Sequence, residues 1–135
     1  MTADQVIKEL DALGVNIQSE RTLQRYVKER LIPVPNRKSA GRGLGKLTDY
    51  QSETPAELYA SYKLKHEHKL KSDQIARCRE KGLLMEEKNE GLGFADWFFG
   101  VDVTPELYFE AGYGQTWLIE KHRVLSNHDY RSCQV

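Results

Sequence analysis

Four long polar side chains, Arg21, Gln24, Arg25 and Lys28, recur one, three and four positions apart. Placed about 100° apart along a helix, they fall on one side, with Leu23, Tyr26 and Val27 roughly opposite. The chemistry of such a face is the donation of hydrogen bonds to a polyanion. Arginine can bond bidentately to guanine in the major groove, and glutamine can do the same to adenine. The basic run extends past this segment. Residues 21–46 hold Arg21, Arg25, Lys28, Arg30, Arg37, Lys38, Arg42 and Lys46 against the single acid Glu29, a local charge of +7. A solvated helix face would carry similar charges, and charge alone leaves both readings open.

The flanking residues predict the elements that hold this face. Residues 2–13 read as a helix capped by Thr2, with Asp4 in its first turn and Val6, Leu10 and Leu13 on one side. Gly14 ends it, and Val15–Gln18 make a short turn. Ser19 starts a second helix that runs to about Arg30, before Pro33 and Pro35. Two short helices joined by a tight turn, with donors on the outside of the second, form a helix-turn-helix. Residues 36–50 read as a two-stranded hairpin whose tip holds Gly41, Gly43 and Gly45, a wing with Arg37, Lys38, Arg42 and Lys46 for phosphates or the minor groove. These glycines follow no parallel-strand unit and precede no Gly-Lys-Ser/Thr, which excludes a dinucleotide fingerprint and a Walker loop.

Further along, Thr54-Pro55-Ala56-Glu57 predicts a capped helix start, with Thr54 as the capping hydroxyl and the helix running to about His66. Ser72 is expected to cap a shorter helix ending at Gly82, and Leu83–Met85 to anchor that end in the core. Residues 86–93 read as a linker. An aromatic segment follows, and Thr104-Pro105-Glu106 opens another helix to about residue 125, where Gly112 and Gly114 mark either a break or a close helix contact. The tail from Ser126 reads as polar and frayed. The expected fold is mainly α: a winged helix-turn-helix over 1–85, then a helical, aromatic-rich C-terminal module over 94–135.

The stretch Ser19-Glu20-Arg21-Thr22-Leu23-Gln24-Arg25-Tyr26, continued by Leu31-Ile32-Pro33, resembles the MerR family of bacterial regulators. The family's second helix typically reads Arg-Thr-Leu-Arg-Tyr-Tyr and is followed by Gly-Leu-Ile or Gly-Leu-Leu and a proline. Arg21, Thr22, Leu23, Tyr26, Leu31, Ile32 and Pro33 match, and Gly41-Arg42 resembles the family's wing. Gln24 and Arg25 replace the usual Arg and Tyr, and Arg30 replaces the usual Gly. The resemblance spans about residues 1–85. It implies double-stranded DNA as partner, with Ser19, Arg21, Thr22, Gln24, Arg25, Tyr26 and Lys28 on the DNA-binding helix and Thr22 and Tyr26 supporting backbone contacts. It also implies transcription regulation and self-association as a homodimer. The coiled coil through which members dimerise has no heptad counterpart after residue 85 here.

The whole chain of 135 residues carries 20 basic and 20 acidic residues, yet residues 1–50 are +3, 51–82 are +2 and 83–135 are −5. This asymmetry assigns polyanion binding to the first part and a different role to the last. In the C-terminal segment Phe94, Trp97, Phe98, Tyr113 and Trp117 read either as a small core or as an effector or partner contact. An accessory or adaptor protein of a phage or mobile element, whose winged helix and aromatic C-terminal module dock partners in a larger assembly, is the alternative function. No apolar run approaches the roughly 18 residues needed to cross a bilayer, and no secretory signal is visible at the N-terminus. Cys78 and Cys133 sit in no paired motif. The expected location is the cytoplasm of a bacterium or archaeon, or of a phage-infected cell. His66-Glu67-His68 and the set His122, His128 and Cys133 fit no standard metal spacing. No metal, cofactor or enzymatic reaction is expected.

Overall fold

The first helix is closed at both ends by bonds its own sequence supplies. In the computed structural model, which describes residues 1–39, 46–88 and 105–133, α1 spans Ala3–Ala12. The Gln5 N–H donates to the Thr2 hydroxyl (3.2 Å), and the Thr2 N–H donates to Gln5 Oε1 (2.8 Å), a reciprocal capping box. Past the other end Gly14 takes φ +84. Its N–H reaches the Asp11 carbonyl (3.0 Å) and the Val15 N–H reaches the Leu10 carbonyl (2.8 Å), the paired bonds of a Schellman turn. Leu10 and Val15 are both buried there, the apolar contact that accompanies such turns.

Helix α2 spans Glu20–Lys28 and packs on α1 through Leu23. Strands β1 (Asn36–Ser39) and β2 (Lys46–Asp49) pair antiparallel, with Arg37 opposite Thr48 and Ser39 opposite Lys46. The base of the hairpin is fastened to the start of α1: the Met1 ammonium donates to the Asp49 carboxylate (2.8 Å) and to the Tyr50 carbonyl (2.7 Å). Helices α3 (Thr54–His66), α4 (Ser72–Lys88) and α5 (Pro105–Cys133) complete a mainly helical chain.

The second half departs from the sequence reading in several places. Helix α3 begins a residue earlier than expected. Glu53 occupies the cap position, and the Thr54 hydroxyl is buried without a hydrogen-bond partner among the described residues. The carboxylate of Glu57, three residues after the expected cap, is turned to Arg79 and Lys121. Ser72 is the first residue of α4, and its hydroxyl donates to Glu29 (3.2 Å). Gly82 does not end α4; the helix continues to Lys88, so residues 86–88 of the expected linker are helical, and 89–93 lie outside the described residues. The tail from Ser126 is likewise helical as far as Cys133.

One contact explains the most important departure. A methyl group built on Gly82 would meet the Trp117 ring at 2.7 Å and the Gly114 carbonyl at 2.9 Å. Gly82 and Gly114 therefore mark where α4 and α5 approach backbone to backbone, and neither breaks its helix. Helix α5 lies against both α3 and α4. Trp117 and Leu118 join the same buried cluster as Val6, Leu10, Leu23 and Leu58. The described part of the C-terminal segment thus shares the core of the first 85 residues and does not build a separate one.

Candidate nucleic-acid interface

Helix α2 is nine residues long and sharply two-sided. Leu23 and Tyr26 are buried, whereas Arg21, Gln24, Arg25 and Lys28 are all exposed. The burial of one side follows from packing on α1, and the rise of about 1.5 Å per residue puts the four donors within roughly two turns of each other. Ser19 stands at the cap position in extended conformation and makes no side-chain capping bond. Its carbonyl accepts from the Thr22 N–H (3.1 Å), and Thr22 is half-buried.

Tyr26 is enclosed rather than presented. It is 4% exposed, with the Lys65 ammonium 6.0 Å from its ring centroid. Burial holds the phenol pKa above its usual value; the nearby Arg25 charge opposes this, and Glu29 and Tyr62 add to it. The side chain is therefore a neutral wall behind the donor face.

The turn after α2 is built on a non-glycine residue. Arg30 takes φ +62 where the family resemblance expects glycine. The Arg30 N–H bonds to the Val27 carbonyl (3.1 Å) and the Leu31 N–H to the Tyr26 carbonyl (3.0 Å), again the Schellman pair. A left-handed conformation costs an L-residue about 1–2 kcal/mol, part of which a glycine would return through its freer unfolded chain. We expect Arg30→Gly to stabilise the fold by about 0.5–1 kcal/mol, read as a higher urea midpoint at unchanged slope.

The two carbonyls of this turn are held from behind. Arg79 Nη1 donates to the Arg30 carbonyl (3.3 Å), and the Ser61 hydroxyl donates to the Leu31 carbonyl (2.7 Å). Ser61 in turn accepts from the Trp117 indole N–H (3.0 Å). Arg79 Nε donates to Glu57 Oε1 (2.8 Å), and the other oxygen of Glu57 lies 3.1 Å from Lys121 Nζ. Lys121 is fully buried and also meets Glu53 and Glu86, both at 3.0 Å. The Trp117 ring lies near both cations, 5.5 Å from Lys121 Nζ and 6.0 Å from Arg79 Cζ. Sequence reading missed this group. Its one visible signal was Lys121 itself, a cation within the apolar spacing of Trp117, Leu118, Val124 and Leu125.

Of the expected wing residues, Arg37 and Lys38 stand on β1 and Lys46 on β2, while Arg42 lies outside the described residues. Of the expected partner or effector contacts, Phe94, Trp97 and Phe98 lie outside the described residues. Tyr113 is half-buried, edge-on to His68 at 5.3 Å between ring centres. Trp117 is fully enclosed, because Gly82 lets its ring lie against α4, and it offers no surface to a partner. Among the described residues no helix is long and apolar enough to cross a membrane. No protein-family model, no curated protein and no solved structure matches the chain.

Proposed function

We propose that this chain is a sequence-specific regulator of MerR-like type that binds double-stranded DNA, with α2 as the recognition helix in the major groove and the β1–β2 hairpin as a wing on the backbone or minor groove. The observation that carries this reading is the division of α2. Arg21, Gln24, Arg25 and Lys28 are exposed together, while Leu23 and Tyr26 fix the opposite side in the core. A helix seated in the core on one side, with exposed arginine and glutamine donors on the other, suits base-edge recognition. Arg37, Lys38 and Lys46 on the strand pair add positive charge in a second element.

The test is selection from a pool of genomic DNA fragments at two salt concentrations, followed by anisotropy on the recovered duplex. A regulator prefers its site over bulk DNA by about 10³ or more. Arg21→Ala and Arg25→Ala are each expected to weaken binding to the selected site by about 1–3 kcal/mol. An inverted repeat among the recovered fragments would accompany a homodimer. Unchanged affinity in both arginine variants would remove α2 from the role of reader, and recovery of no motif would overturn site-specific recognition.

A further inference from the structure

We propose that α5 positions the C-terminal end of α2 from behind, so that its docking sets the sequence specificity of DNA binding through Trp117 and Lys121, which are themselves buried. This rests on the reading of α2 as the recognition helix. Two relays starting on α5 converge on one turn. In the first, the Trp117 indole donates to Ser61 (3.0 Å), and Ser61 donates to the Leu31 carbonyl (2.7 Å). In the second, Lys121 holds one oxygen of Glu57 (3.1 Å) while the other oxygen orients Arg79 (2.8 Å). Arg79 then reaches the Arg30 carbonyl (3.3 Å).

The turn needs such support for a physical reason. Arg30 is held at φ +62, a conformation that its side chain does not favour, and it follows a helix of only nine residues. Packing of Leu23 on α1 orients the middle of α2. The carbonyls of Arg30 and Leu31 orient its end, where Arg25 and Lys28 stand. Bidentate contacts to base edges tolerate little displacement, whereas contacts to phosphate tolerate more. Loosening the turn should therefore lower affinity for the selected site and leave binding to bulk DNA intact.

The test uses Trp117→Phe and Ser61→Ala in the full chain, with Ser61→Thr as the variant that keeps the hydroxyl. Trp117→Phe keeps an aromatic ring in the core and removes only the N–H donor and part of the ring, so it serves if Ser61→Ala fails to fold. The probes are the duplex recovered by selection and a scrambled duplex of equal length. Expected is a fall of about tenfold in the ratio of the two affinities, with the salt slope on the scrambled duplex unchanged and with rescue by Ser61→Thr. Amide resonances of residues 28–32 should shift in Trp117→Phe even without DNA. An unchanged affinity ratio in folded variants, or unmoved amides, overturns the positioning role while the wild type's own preference keeps the DNA-binding reading. A wild type without preference overturns both.

Discussion

Replacing Lys121 by alanine is expected to destabilise the fold by about 3–5 kcal/mol, the usual cost of removing one partner from a buried ionic group. The ammonium is fully buried and has carboxylate oxygens of Glu53, Glu57 and Glu86 at 3.0–3.1 Å. Without it Glu57, whose side chain is 3% exposed, keeps Arg79 alone among the described residues, and three carboxylates face one another across the gap. The loss should appear in urea unfolding at pH 7 as a lower midpoint. Pairing Lys121→Met with Glu57→Gln should cost less than the sum of the two single changes, because the double variant leaves no stranded charge between those positions. The pH dependence has a definite sign. Burial by itself pushes the Lys121 pKa down, but the Glu57 charge and the hydrogen bonds to Glu53, Glu86 and Glu57 outweigh it and hold the pKa above the usual lysine value. The stability this adds is complete below the unfolded lysine pKa of about 10.4 and is lost as pH rises through the folded value. The gap between wild type and Lys121→Met should therefore narrow as pH rises through that alkaline range.

Two glycines of α5, separated by one residue, should respond to alanine with opposite signs. A methyl group on Gly112 meets nothing within 4 Å among the described residues. Gly112→Ala should gain the helix propensity that glycine forgoes, about 1 kcal/mol. A methyl group on Gly114 would meet the Cys78 carbonyl at 2.9 Å, the Gly82 N at 3.1 Å and the Lys81 Cβ at 3.1 Å. Two of these are backbone atoms of α4 and cannot swing aside. Gly114→Ala should lose about 1–3 kcal/mol, the typical cost of overpacking, despite the same gain in propensity. Thermal or urea unfolding of both variants measures the difference. Stabilisation by Gly114→Ala would mean that α4 and α5 do not meet at this crossing.

The α1–α2 segment was legible because its determinants are local. Thr2 and Gln5 cap each other across three positions, Gly14 meets the φ requirement of its own turn, and the spacing of Leu23 and Tyr26 against Arg21, Gln24, Arg25 and Lys28 separates the two sides of α2. The strand pair was legible from glycines bounded by short runs of other residues, and its register joins Arg37 to Thr48. At Thr54 and Ser72 the helix starts differ from the expected caps for a different reason. Both residues have the right type, but Glu57 and Ser72 spend their polar atoms on Arg79, Lys121 and Glu29, partners that only folding brings near.

The donor face of α2, the helices around it and the strand pair that follows are set locally, since each depends on residues close to one another in the chain. Tertiary structure alone decided the fate of the C-terminal half. Glycine signals a helix stop in isolation, but at Gly82 the Trp117 ring fills the space that the missing side chain leaves and the helix continues. An aromatic residue in an acidic segment reads either as core or as docking surface, and burial decides for core at Trp117, which joins the cluster that holds Leu10 and Leu23. A lysine at a helical spacing of apolar residues has no interpretation until α3 and α4 supply its carboxylates. Periodicity records which side of a helix is buried, but the partner that buries it is a property of the folded chain.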